Sequence, residues 1–184
     1  NRAKMGATVS KGLSLVEHDA ARGLDADYAL ICYGGNDSDY DWAAIAADPE
    51  GDHQPHTKQE TFRQTLGDIL KVLYQQGVQP VLMSLPPIDP RRYLRFICRN
   101  GLDRNAIMRW LGDEDMIYRH QELYSDTVTE LAYANNVPLI HVRQAFLADH
   151  HMNDLLSADG IHLTMDGYGK LFDTLANWLR PKLD

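Results

Sequence analysis

The chain has 184 residues, 44% of them hydrophobic and 24% charged, with a formal net charge of −8. That length suits one domain with a sizeable core, and the acidic balance excludes a general nucleic-acid binder, which needs a basic face. No run approaches the ~18 apolar residues of a membrane helix, and two cysteines, Cys32 and Cys98, make no disulfide framework, so the setting expected is reducing and cytoplasmic.

In chain order, Asn1 to Gly6 reads as the end of a strand already under way. A segment with Leu13, Val16 and Ala20 at helical spacing then runs to Gly23. Tyr28 to Tyr33 is a short apolar run without charge, expected to be a strand buried on both faces of a parallel sheet, with Cys32 a small core residue. Gly34 and Gly35 close it with a sharp turn. Asn36 and Asp37 therefore arrive at the carboxyl end of a central strand, where open α/β sheets bind their ligands. Asp39 to Gln54 is polar loop with one helical turn around Ala43 to Ala47. Thr57 and Glu60 have the form of a capping box. The helix they open carries Phe62, Leu66, Ile69, Leu70 and Leu73 on one face. Pro80 to Leu85 is the next buried strand, stopped by Pro86 and Pro87.

Residues 88–115 read as irregular and locally basic. Six arginines (Arg91, Arg92, Arg95, Arg99, Arg104 and Arg109) stand against Asp103 alone between Arg91 and Trp110, with Tyr93, Phe96, Ile107, Met108 and Trp110 interleaved. Such a segment can cover a site at the strand ends, with Arg91, Arg92 and Arg95 facing an anionic substrate. It can equally be an amphipathic cover whose arginines pair with the chain's own carboxylates. A long helix follows through Ile117, Tyr124, Val128 and Leu131, then a short strand from Val137 to Val142. After a loop rich in His and Asp, the closing helix carries Tyr168, Leu171, Phe172, Leu175, Trp178 and Leu179 as the clearest apolar stripe in the chain. Strand and helix alternate throughout, which predicts a three-layer α/β domain with a parallel sheet over residues 1–184.

The chemistry concentrates in two places. Asn36, on its tight turn, can donate a hydrogen bond to a developing oxyanion, although Asn and Asp also simply suit such turns. Asp159-Gly160-Ile161-His162 brings a carboxylate and an imidazole to the same side of a turn. The carboxylate can then hold one ring nitrogen and leave the other as a base. A turn-capping Asp followed by an unrelated His is the plainer alternative. Asp37, Asp39 and Asp41 alternate like the start of a calcium loop, but Trp42 stands where that loop needs Gly. His53, His56, His150 and His151 lie in polar loops without cysteine partners. No metal site is expected from either group.

Gly34-Gly35-Asn36-Asp37 after a strand, Asp159-Gly160-Ile161-His162-Leu163-Thr164 before the last helix, and Asn1 to Thr8 near the start form an ordered set. With Pro86-Pro87-Ile88-Asp89 and Asn135-Asn136-Val137-Pro138, they resemble the SGNH hydrolases, the GDSL-type esterases and lipases, over almost the whole chain. The resemblance implies a flavodoxin-like sheet and hydrolysis of small carboxylic esters through a serine, without a cofactor. Position by position, Gly6 matches the glycine whose N–H helps form the oxyanion hole and Asn36 the asparagine that completes it. His162 matches the general base and Asp159 the residue that orients it; Asp37 joins the arginines as a candidate for substrate contact. The Gly-Asp-Ser-Leu-like turn of the family's first strand is not among these residues, so its serine is expected upstream of Asn1. The Tyr28 to Tyr33 strand should then have an open side, or one filled by a separate segment, a second copy or an exchanged strand. Ser10, Ser38 and Ser84 lack the Gly-flanked elbow that exposes a nucleophilic hydroxyl. The competing reading is a non-catalytic ligand-binding domain on the same fold.

Overall fold

The computed structural model describes residues 1–182. In chain order its elements are α1 (Val9–Ala20), β1 (Tyr28–Ile31), α2 (Trp42–Ala47), α3 (Gln59–Gln75), β2 (Gln79–Met83), α4 (Pro90–Cys98), α5 (Arg104–Leu111), α6 (Asp115–Ala134), β3 (Leu139–Ile140), α7 (Val142–Leu147) and α8 (Met165–Leu179). They form an α/β fold in which the strands stand in the order β1-β2-β3. The chain divides into two compact units that interleave along the sequence.

The first unit comprises Asn1–Tyr40, Gln54–Leu85 and Leu123–Leu139. Its core gathers the expected face of α3 (Phe62, Leu66, Ile69, Leu70, Leu73) with Val9, Ile31 and Leu82, and with Tyr124 and Val128 of α6. β1 runs parallel to β2, from Tyr28 opposite Gln79 to Ile31 opposite Leu82. On the far side of β2, the Leu82 N–H donates to the Pro138 carbonyl at 2.9 Å.

β1 is not buried on both faces. Among the described residues its one partner strand is β2, so its other edge is open, as anticipated. A groove of about 680 Å³ runs beside it, lined by Asn1 to Lys4 and Ala7, by α1 and by Tyr28 to Tyr33. One face of the strand is also exposed: Tyr28 is 41% and Leu30 53% exposed, while Ile31 on the other face is buried. Cys32, expected in the core, is exposed just past the strand. Asn1 to Gly6 is not a strand either; it is irregular and closes in a turn in which the Ala7 N–H donates to the Lys4 carbonyl.

Thr57 is not the cap of α3. The helix starts at Gln59 after Lys58, without a side-chain cap, because the Thr57 hydroxyl donates to Asp37 at 2.7 Å. Gly34 is held at φ 129°, and a Cβ there would come within 2.9 Å of Leu85 Cδ1. Only glycine fits both the conformation and the space.

The second unit comprises Asp41–His53, Pro86–Glu122 and the chain from Ile140 onward. Most of residues 88–115 is helical, contrary to the irregular reading. Asp89 accepts from the Arg92 N–H and Pro90 occupies the first turn of α4; Asp103 accepts from the Asn105 and Ala106 N–H groups to start α5. Each is an N-cap that satisfies otherwise orphaned helix donors. The interleaved aromatics point inward: Tyr93 and Trp110 meet Trp42 of α2 edge to face, at 6.2 and 6.4 Å. The stripe of α8 is less covered than its pattern suggests, since Tyr168 is 53% and Phe172 66% exposed.

Candidate active site

In the first unit, Asn36 Nδ2 donates to the Gly6 carbonyl at 2.7 Å, so the two residues matched to an oxyanion hole are neighbours. One carboxamide hydrogen is engaged there, and a primary carboxamide carries two. The Asn36 main chain is also held, its carbonyl accepting from His56 Nδ1 at 2.9 Å. That second support for Asn36 was missed by reading His56 as a solvated loop residue. The only sequence cue was its place on the polar loop after Asn36.

Asp37 cannot touch a substrate here. It is 0% exposed, and its carboxylate accepts from the Val9 N–H at 2.9 and 3.2 Å and from the Thr57 hydroxyl at 2.7 Å. Burial raises its pKa, and those hydrogen bonds pull the other way. Its role is to anchor the first turn of α1, where a carboxylate also meets the positive end of the helix dipole.

In the second unit, residues 155–164 form a small antiparallel loop closed by the Leu156–Leu163 bridge. The Ser157 N–H donates to the His162 carbonyl at 2.8 Å, and the Thr164 N–H to the Leu155 carbonyl at 2.9 Å. Asp159 and His162 occupy its tip. Asp159 Oδ2 lies 2.8 Å from His162 Nδ1. Oδ1 accepts three bonds, from Ser157 Oγ at 2.6 Å, the Ile161 N–H at 3.0 Å and the His162 N–H at 2.9 Å.

Burial of Asp159 acts to raise its pKa, but those hydrogen bonds outweigh it and hold the carboxyl well below the usual range. An ionised carboxylate can only accept. Nδ1 must therefore carry a proton, and Nε2 of the neutral ring is left as a lone-pair base. The His162 side chain is 57% exposed. Ser157, absent from the sequence reading, is marked only by a Ser-x-Asp spacing. Its proton goes to the carboxylate, which is the wrong partner for a nucleophile activated by His162.

The loop is docked on α4. The Asp89 N–H donates to the Gly160 carbonyl at 2.8 Å, and Gly160 sits at φ 79° with the Asp89 carbonyl 2.6 Å from where a Cβ would be. Arg92 supports the same loop: Nη1 donates to the Asn153 and Leu156 carbonyls at 2.8 and 3.0 Å, and Nε lies 3.2 Å from Asp89 Oδ2. Its guanidinium is thus turned to the chain's own groups rather than to a substrate. Arg91 and Arg104 meet Glu114 at 3.0 and 3.5 Å, and Arg95 is exposed. Among the described residues, no three His, Cys, Asp or Glu side chains gather to hold a metal ion, and no helix is long and apolar enough to cross a membrane.

The fold is thus a parallel-sheet α/β fold in which Asp159 and His162 are paired on one turn. The model of the GDSL-like lipase/acylhydrolase family matches residues 1–170, and the chain belongs to that family. Solved structures share the fold. A lipase/acylhydrolase from Enterococcus faecalis is 18% identical with a TM-score of 0.63, the match covering 96% of this chain and 72% of that one. For a GDSL-like lipase from Bacteroides thetaiotaomicron the values are 15%, 0.64, 96% and 73%. For Axe2, an acetylxylan esterase from Geobacillus stearothermophilus, they are 18%, 0.62, 94% and 67%. No curated protein matches in sequence.

Proposed function

We propose that the protein hydrolyses small carboxylic esters through a serine nucleophile, with His162 as general base and Asp159 as its orienter. The observation that supports this reading most is the 2.8 Å contact between His162 Nδ1 and an Asp159 carboxylate held ionised. In the reaction, His162 Nε2 takes the hydroxyl proton as the serine oxygen bonds to the acyl carbon. The Gly6 N–H and the second Asn36 hydrogen stabilise the resulting oxyanion. The proton then passes to the leaving alkoxide, the C–O ester bond breaks, and water attacks the acyl-serine by the same relay. The serine in this proposal belongs to a Gly-Asp-Ser turn ahead of Asn1: Ser10 is exposed in the first turn of α1, without the Gly-flanked strand-to-helix elbow of a nucleophile, and the other candidates are engaged or hidden. Ser38 Oγ donates to the Gly35 carbonyl, Ser84 is buried, and Ser157 is committed to Asp159.

Release of nitrophenol from a short-chain nitrophenyl ester tests the proposal, comparing the wild type with His162→Ala. Turnover should fall by several orders of magnitude, on the ~10⁴-fold or greater scale of losing a catalytic base. Hydrolysis unaffected by His162→Ala would overturn the assignment, and an inactive wild type that still binds esters would favour a ligand-binding role.

A further inference from the structure

The Asp159 carboxylate has four donors on two oxygens, and their division is uneven. Oδ1 takes the Ser157 hydroxyl and the Ile161 and His162 main-chain N–H groups, whereas Oδ2 takes the imidazole alone. The two main-chain donors come from the chain after Asp159, and the hydroxyl comes from the chain before it. Ser157 is itself fixed at both ends: its N–H donates to the His162 carbonyl at 2.8 Å, and its carbonyl accepts from the Gly160 N–H at 3.0 Å.

We propose that Ser157 is a positioning residue, whose hydroxyl locks Oδ1 so that Oδ2 alone faces His162 Nδ1 and fixes the imidazole in its Nδ1–H form. The inference rests on the reading of His162 as a base but makes its own demand on the ring. With the main-chain donors alone, the carboxylate can turn about its Cβ–Cγ bond until Oδ2 leaves Nδ1, and a ring without that acceptor is free to take either tautomer. The hydroxyl, 2.6 Å from Oδ1, opposes that turn. Partners that orient a working imidazole in this way act on its tautomer and basicity without touching substrate.

The experiment is ¹⁵N NMR of histidine-labelled wild type, Ser157→Ala and Ser157→Thr, with ester kinetics on the same samples. The ring nitrogens of His162 should report one tautomer, protonated at Nδ1, in the wild type and in Ser157→Thr, which keeps a hydroxyl. Ser157→Ala should show both tautomers, with kcat lower by roughly 10–100-fold and KM little changed. A single Nδ1–H tautomer in Ser157→Ala would overturn the proposal. If Ser157→Ala fails to fold, Ser157→Cys, of similar size but a far weaker donor, takes its place with the same readout, and a single Nδ1–H tautomer there would overturn the proposal. A wild type without esterase activity would sink the base assignment, while the tautomer measurement would still decide the role of Ser157.

Discussion

His162 grips both oxygens of Asp159, the imidazole Nδ1 lying 2.8 Å from Oδ2 and the main-chain N–H 2.9 Å from Oδ1. Replacing the carboxylate by a carboxamide therefore has a directional consequence. In Asp159→Asn the carboxamide oxygen stays with the Oδ1 donors, so the NH₂ group faces the ring. Nδ1 must then accept, the proton moves to Nε2, and the base is lost. The expected drop in kcat is roughly 10²–10⁴-fold with the fold retained, measured by ester hydrolysis and circular dichroism. Unchanged kcat would show that the ring orientation does not matter to turnover.

The same carboxylate makes a pH-dependent contribution to stability. Its folded-state pKa is depressed, so the stabilisation is fully present above the unfolded value of about 3.9 and is lost as pH falls through the folded one. Asp159→Asn lacks this contribution. The gap in unfolding free energy between wild type and variant should be widest near neutrality and narrow below about pH 4. Urea denaturation across that range checks it, and a gap that widens on acidification would contradict the assigned sign.

Asn36 enters the proposed mechanism through its carboxamide nitrogen. One hydrogen of its Nδ2 holds the Gly6 carbonyl, and the other is assigned to the oxyanion. Asn36→Ala should lower kcat by roughly 10²–10³-fold with little change in KM, as for a contact formed mainly in the transition state. Steady-state kinetics separate the cases. A raised KM with kcat intact would make Asn36 a substrate-binding or turn-shaping residue.

Periodicity carried the helices well: α1, α3, α6 and α8 all fall where apolar spacing put them. It failed where the pattern depends on what lies opposite. The Tyr28 to Tyr33 run is apolar enough for a central strand, yet Tyr28 and Leu30, which share one face of β1, are exposed because that face is left largely uncovered. The α8 stripe is likewise less covered than its spacing suggests, with Tyr168 and Phe172 exposed. Local signals were overlooked between residues 88 and 115, where Asp89-Pro90 and Asp103 are both N-cap signatures. At the site, the Asp159–His162 spacing was legible because it is short and sits on one turn. Asp37 was not, since the polar groups that bury it, Val9 N–H and Thr57, lie 28 and 20 residues away.

Gly160 is where the loop presses on α4. An alanine Cβ there would come 2.6 Å from the Asp89 carbonyl, 2.7 Å from Arg92 Cβ and 2.9 Å from the Tyr93 N–H, at a φ of 79° that favours glycine. Two of those neighbours are main chain and cannot swing aside. Gly160→Ala should cost about 2–4 kcal/mol from strain and overpacking together, read from urea unfolding. A loss under about 0.5 kcal/mol, the usual range for a harmless surface change, would show that the loop lifts from the helix freely.

The arginines of α4 should separate by function. Arg92 ties Asp89 to the Asn153 and Leu156 carbonyls, so it braces the base of the Asp159–His162 loop. Arg95 is exposed on the same helix, where it can act on an anionic ester by long-range attraction. Arg92→Ala leaves two carbonyls without that donor, at about 1–3 kcal/mol for each group that stays dry. It should speed amide hydrogen exchange in residues 153–164 and lower kcat for neutral and anionic esters alike. Arg95→Ala should leave stability within about 0.5 kcal/mol and slow only the anionic ester, by an amount that shrinks as added salt screens the charge. The decisive comparison is kcat/KM for a neutral and a negatively charged acyl ester at low and high ionic strength, alongside exchange rates for the loop. If Arg92→Ala leaves loop exchange unchanged but removes a salt-dependent preference for the anionic ester, Arg92 is a substrate residue after all and its contacts to the loop are incidental.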